Sequence, residues 1–345
     1  MADLNGFEHF AAEWLPRLEA EMQAVLALRE PDVAQHYQMM HYHMGWADES
    51  FQPGLFDTGK RIRPLMCLMA CAAVGGEPAT ALPAAAAVEI LHNFSLIHDD
   101  IQDGDRTRRH RPTLWTLWGV PQAINVGDGM FALAYAALLR GKQRGVGDAR
   151  LLAALERFTT CCAALTEGQH LDMGFETRES VSVAIYLRMI EGKTAALLAA
   201  SLALGALLGG ADKTTEDALY RFGRHIGLVF QIRDDILGIW GDPAVTGKAA
   251  GNDILRRKKS LPLLYALEDP RVGPLLHDRM GQAISPTDLP GLLDLLAQTS
   301  AQSYAEKQAA HHHQMGMAAL AEALGPSAKG APLELLAMGL LERQA

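Results

Sequence analysis

Residues 82–103 read LPAAAAVEILHNFSLIHDDIQD. The run is rich in Ala, Leu and Ile and shows no strand-like alternation, so it reads as a long apolar helix. It ends in His98-Asp99-Asp100-Ile101-Gln102-Asp103. At about 3.6 residues per turn, Asp99 and Asp103 share one face at i, i+4, and Asp100 lies beside Asp103 at i, i+3. An acidic helix C-terminus opposes the macrodipole, and three neighbouring carboxylates repel one another unless a cation joins them. Hard oxygen donors at this spacing suit Mg²⁺, which keeps waters and shares the phosphate oxygens of a substrate.

A second apolar helix ends the same way, in Phe230-Gln231-Ile232-Arg233-Asp234-Asp235-Ile236-Leu237-Gly238. Two aspartate pairs closing two apolar helices suggest a metal-lined cavity with an apolar floor, and the cations there require anionic counter-ions. INVGDGMFALAYAALL (124–139) and RLLAALERFTTCCAALTEGQHLDM (150–173) read as further helices. Breakers at Gly75-Gly76, Pro112, Gly119, GKQRGVGD, Gly209-Gly210 and Pro270 to Pro290 separate about ten to thirteen of them. No repeat or linker divides the chain, so the expectation is all-α: one large helical bundle over residues 1–345 around a central cavity. Thr194 to Ala211 carries no charge. Its Ala content, its glycines and its lack of aromatic anchors make it a buried core helix rather than a membrane span.

Cations suited to phosphate surround these clusters. Lys60, Arg61 and Arg63 lie in GKRIRP before a helix, and Arg106, Arg108, Arg109 and Arg111 follow the first acidic cluster. Lys193, Lys248, Lys258 and Lys259 stand beside small residues or in a short basic run. Guanidinium forks match phosphate bidentately, and lysines act as mobile point charges. Gly241 to Gly247-Lys248 fails the Walker spacing, and no G-x-G-x-x-G follows a strand, so the sequence lacks the phosphate-binding loops that would point to an ATPase or a dehydrogenase.

GKRIRP, EILHNFSLIHDDIQD, RRHRPT, INVGD, GQHLD, GKTA, FQIRDDILG and TGKAAGNDI occur in an order and spacing that resemble the trans-isoprenyl diphosphate synthases, or polyprenyl synthetases. The resemblance runs from about His41 to Tyr265, with C-terminal helices over 266–345. It implies an isoprenoid synthase-like bundle that condenses isopentenyl diphosphate head-to-tail with dimethylallyl, geranyl or farnesyl diphosphate, in a cytoplasmic homodimer. It makes Asp99, Asp100 and Asp103 ligands of Mg²⁺ against the allylic diphosphate. Asp234 and Asp235 hold further Mg²⁺, three ions in all. Lys60, Arg63, His92 and Arg109 resemble an isopentenyl diphosphate site. Arg108, Lys193, Lys248 and Lys258 resemble cations for the allylic diphosphate, with Thr194 and Gln231 at the reacting centre.

Three positions depart from the family pattern: Gly238 where many members carry a third Asp, His110 where a Gly is usual, and Arg257 before Lys258 where a Gly is usual. Asp242 and Asp253 are the candidate substitutes for the missing carboxylate. Ser95 and Phe94, four and five residues before the first aspartate, resemble the floor of the chain-elongation cavity. With bulky Phe94 and no insertion between Asp100 and Asp103, the pattern is closest to the geranylgeranyl-forming type. At about 100° per residue, Leu91 and Ser95 lie nearer the Asp99 face than Phe94, so Phe94 closes the cavity only if a neighbouring helix completes that wall.

Composition bounds these readings. The 345 residues are 49% hydrophobic and 21% charged, with 31 Lys and Arg against 40 Asp and Glu, for a net charge of −9. That excludes wholesale disorder and a globally basic nucleic-acid binder. Four cysteines without a Cys-x-x-Cys pair form neither a disulfide framework nor a zinc site. Three rival readings remain. Glu89-x-x-His92 and Glu167-x-x-His170 have the spacing of a di-iron carboxylate bundle. A class I terpene cyclase needs a single diphosphate site, and a non-catalytic partner subunit needs no intact aspartates. His311-His312-His313 reads as helix surface.

Overall fold

The computed structural model describes residues 5–178, 180–241, 251–281, 284–328 and 332–341. The elements are α1 (Asn5–Val25), α2 (Pro31–Met44), α3 (Ile62–Ala73), α4 (Pro78–Gln102), β1 (Thr107–Arg108), β2 (Arg111–Pro112), α5 (Leu114–Trp118), α6 (Val120–Leu139), α7 (Asp148–Thr177), α8 (Val183–Ile190), α9 (Ala196–Gly209) and α10 (Lys213–Trp240). Shorter helices follow from Asn252 onward, with one longer helix at Ala301–Leu324. Residue contacts group the chain into two compact units, Asp3–Thr160 with Ala200–Leu219, and Cys161–Ala199 with Tyr220–Ala345 plus Met1–Ala2.

In the first unit, α4 starts at Pro78, with the Glu77 side chain accepting from the Ala79 N–H. Proline at the first helical turn forfeits no hydrogen bond, because that N–H has no intrahelical acceptor. Ala84, Ala85, Ala86, Ala87, Val88, Ile90 and Leu91 are all fully buried, as expected of a helix that is apolar all round. Close packing also explains the uncharged segment after Thr194. A Cβ on Gly205 would lie 1.9 Å from the carbonyl oxygen of Cys67 in α3, and one on Gly209 would lie 2.9 Å from that of Cys71. Glycines four residues apart occupy one face of α9 and let its backbone seat against α3. Two helical runs, Pro78–Gln102 and Val183–Gly209, are long and apolar enough to cross a membrane, and 72% and 78% of their most apolar windows are buried within the protein. The four cysteines are buried thiols.

The second unit is built around Phe175, Tyr186, Ile190, Leu228, Ile232, Ile236, Leu261 and Leu264. Between α8 and α9 the chain makes a π-helical turn over Glu191–Ala195. Glycine permits the approaches that seat this turn. A Cβ on Gly168 of α7 would lie 2.1 Å from the Lys193 nitrogen, and one on Gly227 of α10 would lie 2.5 Å from the Ala195 Cα. The π turn was not legible in the sequence, and such turns are common at functional sites.

The histidine run departs from its expected surface role. His311 is exposed, but His312 turns its Nδ1 to within 3.1 Å of Nδ1 of the buried His225. Burial, reinforced by His225 and His311, pushes the His312 imidazole down to about 4, so it is neutral at physiological pH.

Candidate active site

In the first unit, the last turn of α4 presents Asp99 partly buried, Asp100 buried and Asp103 exposed at the helix C-cap. Nε of Arg108 donates to Asp100 Oδ1 at 2.7 Å. Burial pushes the Asp100 carboxyl up to about 6, against the opposing pull of Arg108. Arg108 belongs to a two-residue antiparallel hairpin in which it pairs with Arg111. Arg111 is a strut: it donates to the Tyr42 and Ala47 carbonyls at 3.0 and 2.7 Å and lies 3.9 Å over the Tyr42 ring. The hairpin is thereby bolted to the end of α2, and its turn presents Arg109.

Arg109 and His110 both have positive φ, 50° and 61°. Arg257, in the second unit, has φ 53°. Two of the three departures from the family pattern therefore place a side chain where the backbone favours glycine. We expect His110→Gly and Arg257→Gly each to stabilise the protein by about 1 kcal/mol, read as a raised midpoint in urea unfolding.

Around Arg109, Gly59 has φ +78°, and a Cβ there would meet the Arg109 guanidinium at 2.8 Å. GKRIRP divides its labour. Arg61 is buried, paired with Glu89 at 2.7 Å and Glu19 at 2.9 Å, whereas Lys60 is exposed and Arg63 points Nη1 at His92 Nε2, 3.4 Å away. Burial, then Arg63, Arg109, Arg108 and Arg61, hold the His92 imidazole neutral. This geometry counts against the di-iron reading: the Glu89 carboxylate serves Arg61 and Asn93, and Glu167 and His170 are exposed. A small pocket here is lined by Asp57, Asp100, Arg108, Arg109 and Arg111 together with His43, whose buried Nε2 has no hydrogen-bond partner among the described residues. His43 escaped the sequence reading because no motif flags it.

The second unit holds the other acidic pair. Asp235 is wholly buried and Asp234 partly so. The Tyr186 hydroxyl donates to Asp235 Oδ2, and the Leu261 N–H donates to the same oxygen at 3.0 Å. Oδ1 accepts from Lys258 Nζ at 3.2 Å and from Gln231 Nε2 at 3.4 Å. Burial opposes the charge on Lys258, but Asp235, then Asp253 and Asp234, more than offset it and hold the lysine protonated. Gln231 also accepts from the Thr194 hydroxyl at 3.0 Å, and Lys193 pairs with Asp172. Asp172, the last residue of GQHLD, and Tyr186 are site residues the sequence reading did not single out.

A Cβ on Gly238 would lie 2.3 Å from Asp253 Oδ2, so the Asp253 carboxylate fills the space beside the position that lacks the usual third aspartate. Asp253 also lies 3.4 Å from Lys258 Nζ. Lys248 and Asp242 lie outside the described residues. Lys259 donates to the Phe175 and Arg178 carbonyls and is a structural tie.

In both units, then, the second aspartate of the pair is buried and bound to a cation, Arg108 or Lys258. Among the described residues no three His, Cys, Asp or Glu side chains form a metal-holding group. The paired carboxylates Asp99-Asp100 and Asp234-Asp235 would suit Mg²⁺, which binds through one or two carboxylates and takes its remaining ligands from water and phosphate.

Residues 44–288 match the family model for polyprenyl synthetase. The chain belongs to that family. It is 41% identical over 313 residues to the (2E,6E)-farnesyl diphosphate synthase of Mycobacterium tuberculosis, covering 89% of this chain and 86% of the relative. It is 46% identical over 248 residues to a geranylgeranyl diphosphate synthase of the same organism, covering 71% and 68%. The geranylgeranyl pyrophosphate synthase of Corynebacterium glutamicum, solved in complex with isoprenyl diphosphate and magnesium, superposes with a TM-score of 0.79 at 28% identity and covers 99% of each chain. The protein is an enzyme, a prenyltransferase of the trans-prenyl diphosphate synthase kind with the all-α isoprenoid synthase fold.

Proposed function

We propose that this synthase condenses isopentenyl diphosphate with an allylic diphosphate to give geranylgeranyl diphosphate. The observation that carries the reading is the repeated unit of a partly buried aspartate followed by a buried aspartate tied to a cation, Asp99-Asp100 with Arg108 and Asp234-Asp235 with Lys258. Bound Mg²⁺, three ions in this reading, supplies Lewis-acid assistance to the departing diphosphate. Asp99, Asp100, Asp103, Asp234 and Asp235 would hold it, and of these Asp99, Asp103 and Asp234 are the less buried.

Arg108, Lys193, Lys248 and Lys258 hold the allylic diphosphate, and Lys60, Arg63, His92 and Arg109 hold isopentenyl diphosphate. The allylic C1–O bond breaks, and the electron pair leaves with the diphosphate. The homoallylic double bond then attacks the allylic cation, and one proton is lost to the released diphosphate. Thr194 and Gln231, joined by their own hydrogen bond, line the reacting centre, where water must be kept out.

The chain-length assignment is supported by the aromatic residues. Phe94 meets Phe131 of α6 with ring centroids 5.0 Å apart, Phe131 meets Tyr135 at 5.5 Å, and Tyr135 meets Phe158 at 5.1 Å. In this reading α6 is the neighbouring helix that would complete the Phe94 wall. Leu91 is fully buried, and Ser95 donates to the His92 carbonyl at 2.8 Å. We expect a twenty-carbon main product, with Phe94→Ala giving longer chains and Ser95→Phe shorter ones, read by chromatography of the dephosphorylated products. A wild-type enzyme that stops at fifteen carbons, or an unaltered Phe94→Ala distribution, would place the floor elsewhere.

The enzyme acts as a cytoplasmic homodimer in this reading. Val120, Ile124 and Leu139 of α6 are exposed apolar side chains suited to a second copy, and light scattering on the purified protein tests the assembly. Incubation with both substrates tests the function. Turnover should stop in excess EDTA and return with Mg²⁺, and product formation that persists in chelator would refute the reading.

A further inference from the structure

Tyr186 is fully buried, packed in the core of the second unit with Ile190, Ile232, Leu261 and Leu264. A phenylalanine would fill the same apolar space, so what the hydroxyl adds must be sought at its partner. That partner is Asp235, buried and ringed by four donors. An ionised carboxylate offers about four lone-pair sites. Here they divide by oxygen: Tyr186 and the Leu261 N–H hold Oδ2, while Lys258 and Gln231 take Oδ1. Fixing one oxygen fixes the direction in which the other points. Leu261 N–H belongs to the backbone at a helix start, so among the described residues Tyr186 is the side chain that holds Oδ2.

We propose that Tyr186 is a positioning residue for the allylic diphosphate, acting through Asp235 to set Lys258 and Gln231. The inference rests on the proposed role of Lys258 as a diphosphate cation. Without the hydroxyl, the carboxylate loses a charge-assisted hydrogen bond inside the core and turns, and the lysine and glutamine turn with it. Groups that orient the ligands of a metal site from one step back are worth about 10- to 100-fold, and the lower end of that range is expected of Tyr186.

The test compares Tyr186→Phe, Lys258→Ala and the double variant, all with Mg²⁺ present. It reads KM for each substrate, kcat, the Kd of a non-ionising allylic thiolodiphosphate by calorimetry, and Tm. Tyr186→Phe should raise the allylic KM and the analogue Kd about 10-fold. The KM for isopentenyl diphosphate should stay within about twofold, and the double variant should bind no more weakly than Lys258→Ala, because both changes interrupt one chain of contacts. Asp235→Asn, isosteric and one link further along, should reproduce the effect and serves in place of Tyr186→Phe if that variant fails to fold. Additive losses in the double variant, equal rises in both KM values, or a lowered Tm with unchanged analogue binding would each overturn the proposal. An unaltered allylic KM in Lys258→Ala would instead remove Lys258 from the diphosphate site, and the proposal would fall with that assignment.

Discussion

Asp99→Ala and Asp234→Ala should each lower kcat by about 10³-fold with little change in Tm. Both residues are partly buried at the ends of apolar helices, whereas Asp100 and Asp235 are buried and bound to Arg108 and Lys258. A metal ligand acts on the charge that develops as the C1–O bond breaks, so its loss falls on the chemical step. A carboxylate that orients a phosphate-binding cation acts in the ground state as well, so its loss appears in KM. Asp100→Asn and Asp235→Asn should therefore raise the allylic KM more than Asp99→Ala does. Steady-state kinetics at saturating Mg²⁺ separate the two signatures. Near-wild-type kcat in both Asp99→Ala and Asp234→Ala would remove the two clusters from the reaction.

Gly168→Ala should be the most damaging single-methyl change in the second unit, costing about 3 kcal/mol or more. The added Cβ would meet the Lys193 nitrogen at 2.1 Å and the Gly192 carbonyl carbon at 2.6 Å. Both are backbone atoms, so no side-chain rotation relieves the clash, and the π turn itself must move. Lys193 and Thr194 ride on that turn, one paired with Asp172 and the other with Gln231. The variant should lose stability, seen as a Tm several degrees lower, and also lose affinity for the allylic diphosphate. A thermally normal, fully active Gly168→Ala protein would show that α7 and the π turn are not held in this contact.

Much of this was readable in the residues. The apolar run before Asp99 announced a buried helix ending in carboxylates, and the glycines and alanines after Thr194 announced a core helix, because both signals are local and periodic. Arg61, read as one of three cations suited to phosphate, proved to be a buried partner of Glu89 and Glu19: its partners stand 28 and 42 residues away, and only the fold brings them together. Asp172 and Tyr186 were missed for the same reason. The close approach that requires Gly168 was not legible either, since a glycine demanded by a neighbouring backbone looks in sequence like one that is merely tolerated. The two non-glycine turns at His110 and Arg257 were visible as departures, but their left-handed backbone was not.

In the proposed function one prenyl transfer consumes one allylic diphosphate and one isopentenyl diphosphate and releases one inorganic diphosphate. The most direct measurement is the inorganic diphosphate released per isopentenyl diphosphate incorporated, with farnesyl diphosphate as the allylic substrate and Mg²⁺ present. The expected ratio is one, with no diphosphate released once excess chelator has removed the metal. Diphosphate released from farnesyl diphosphate with no isopentenyl diphosphate consumed would contradict it and identify a cyclase instead.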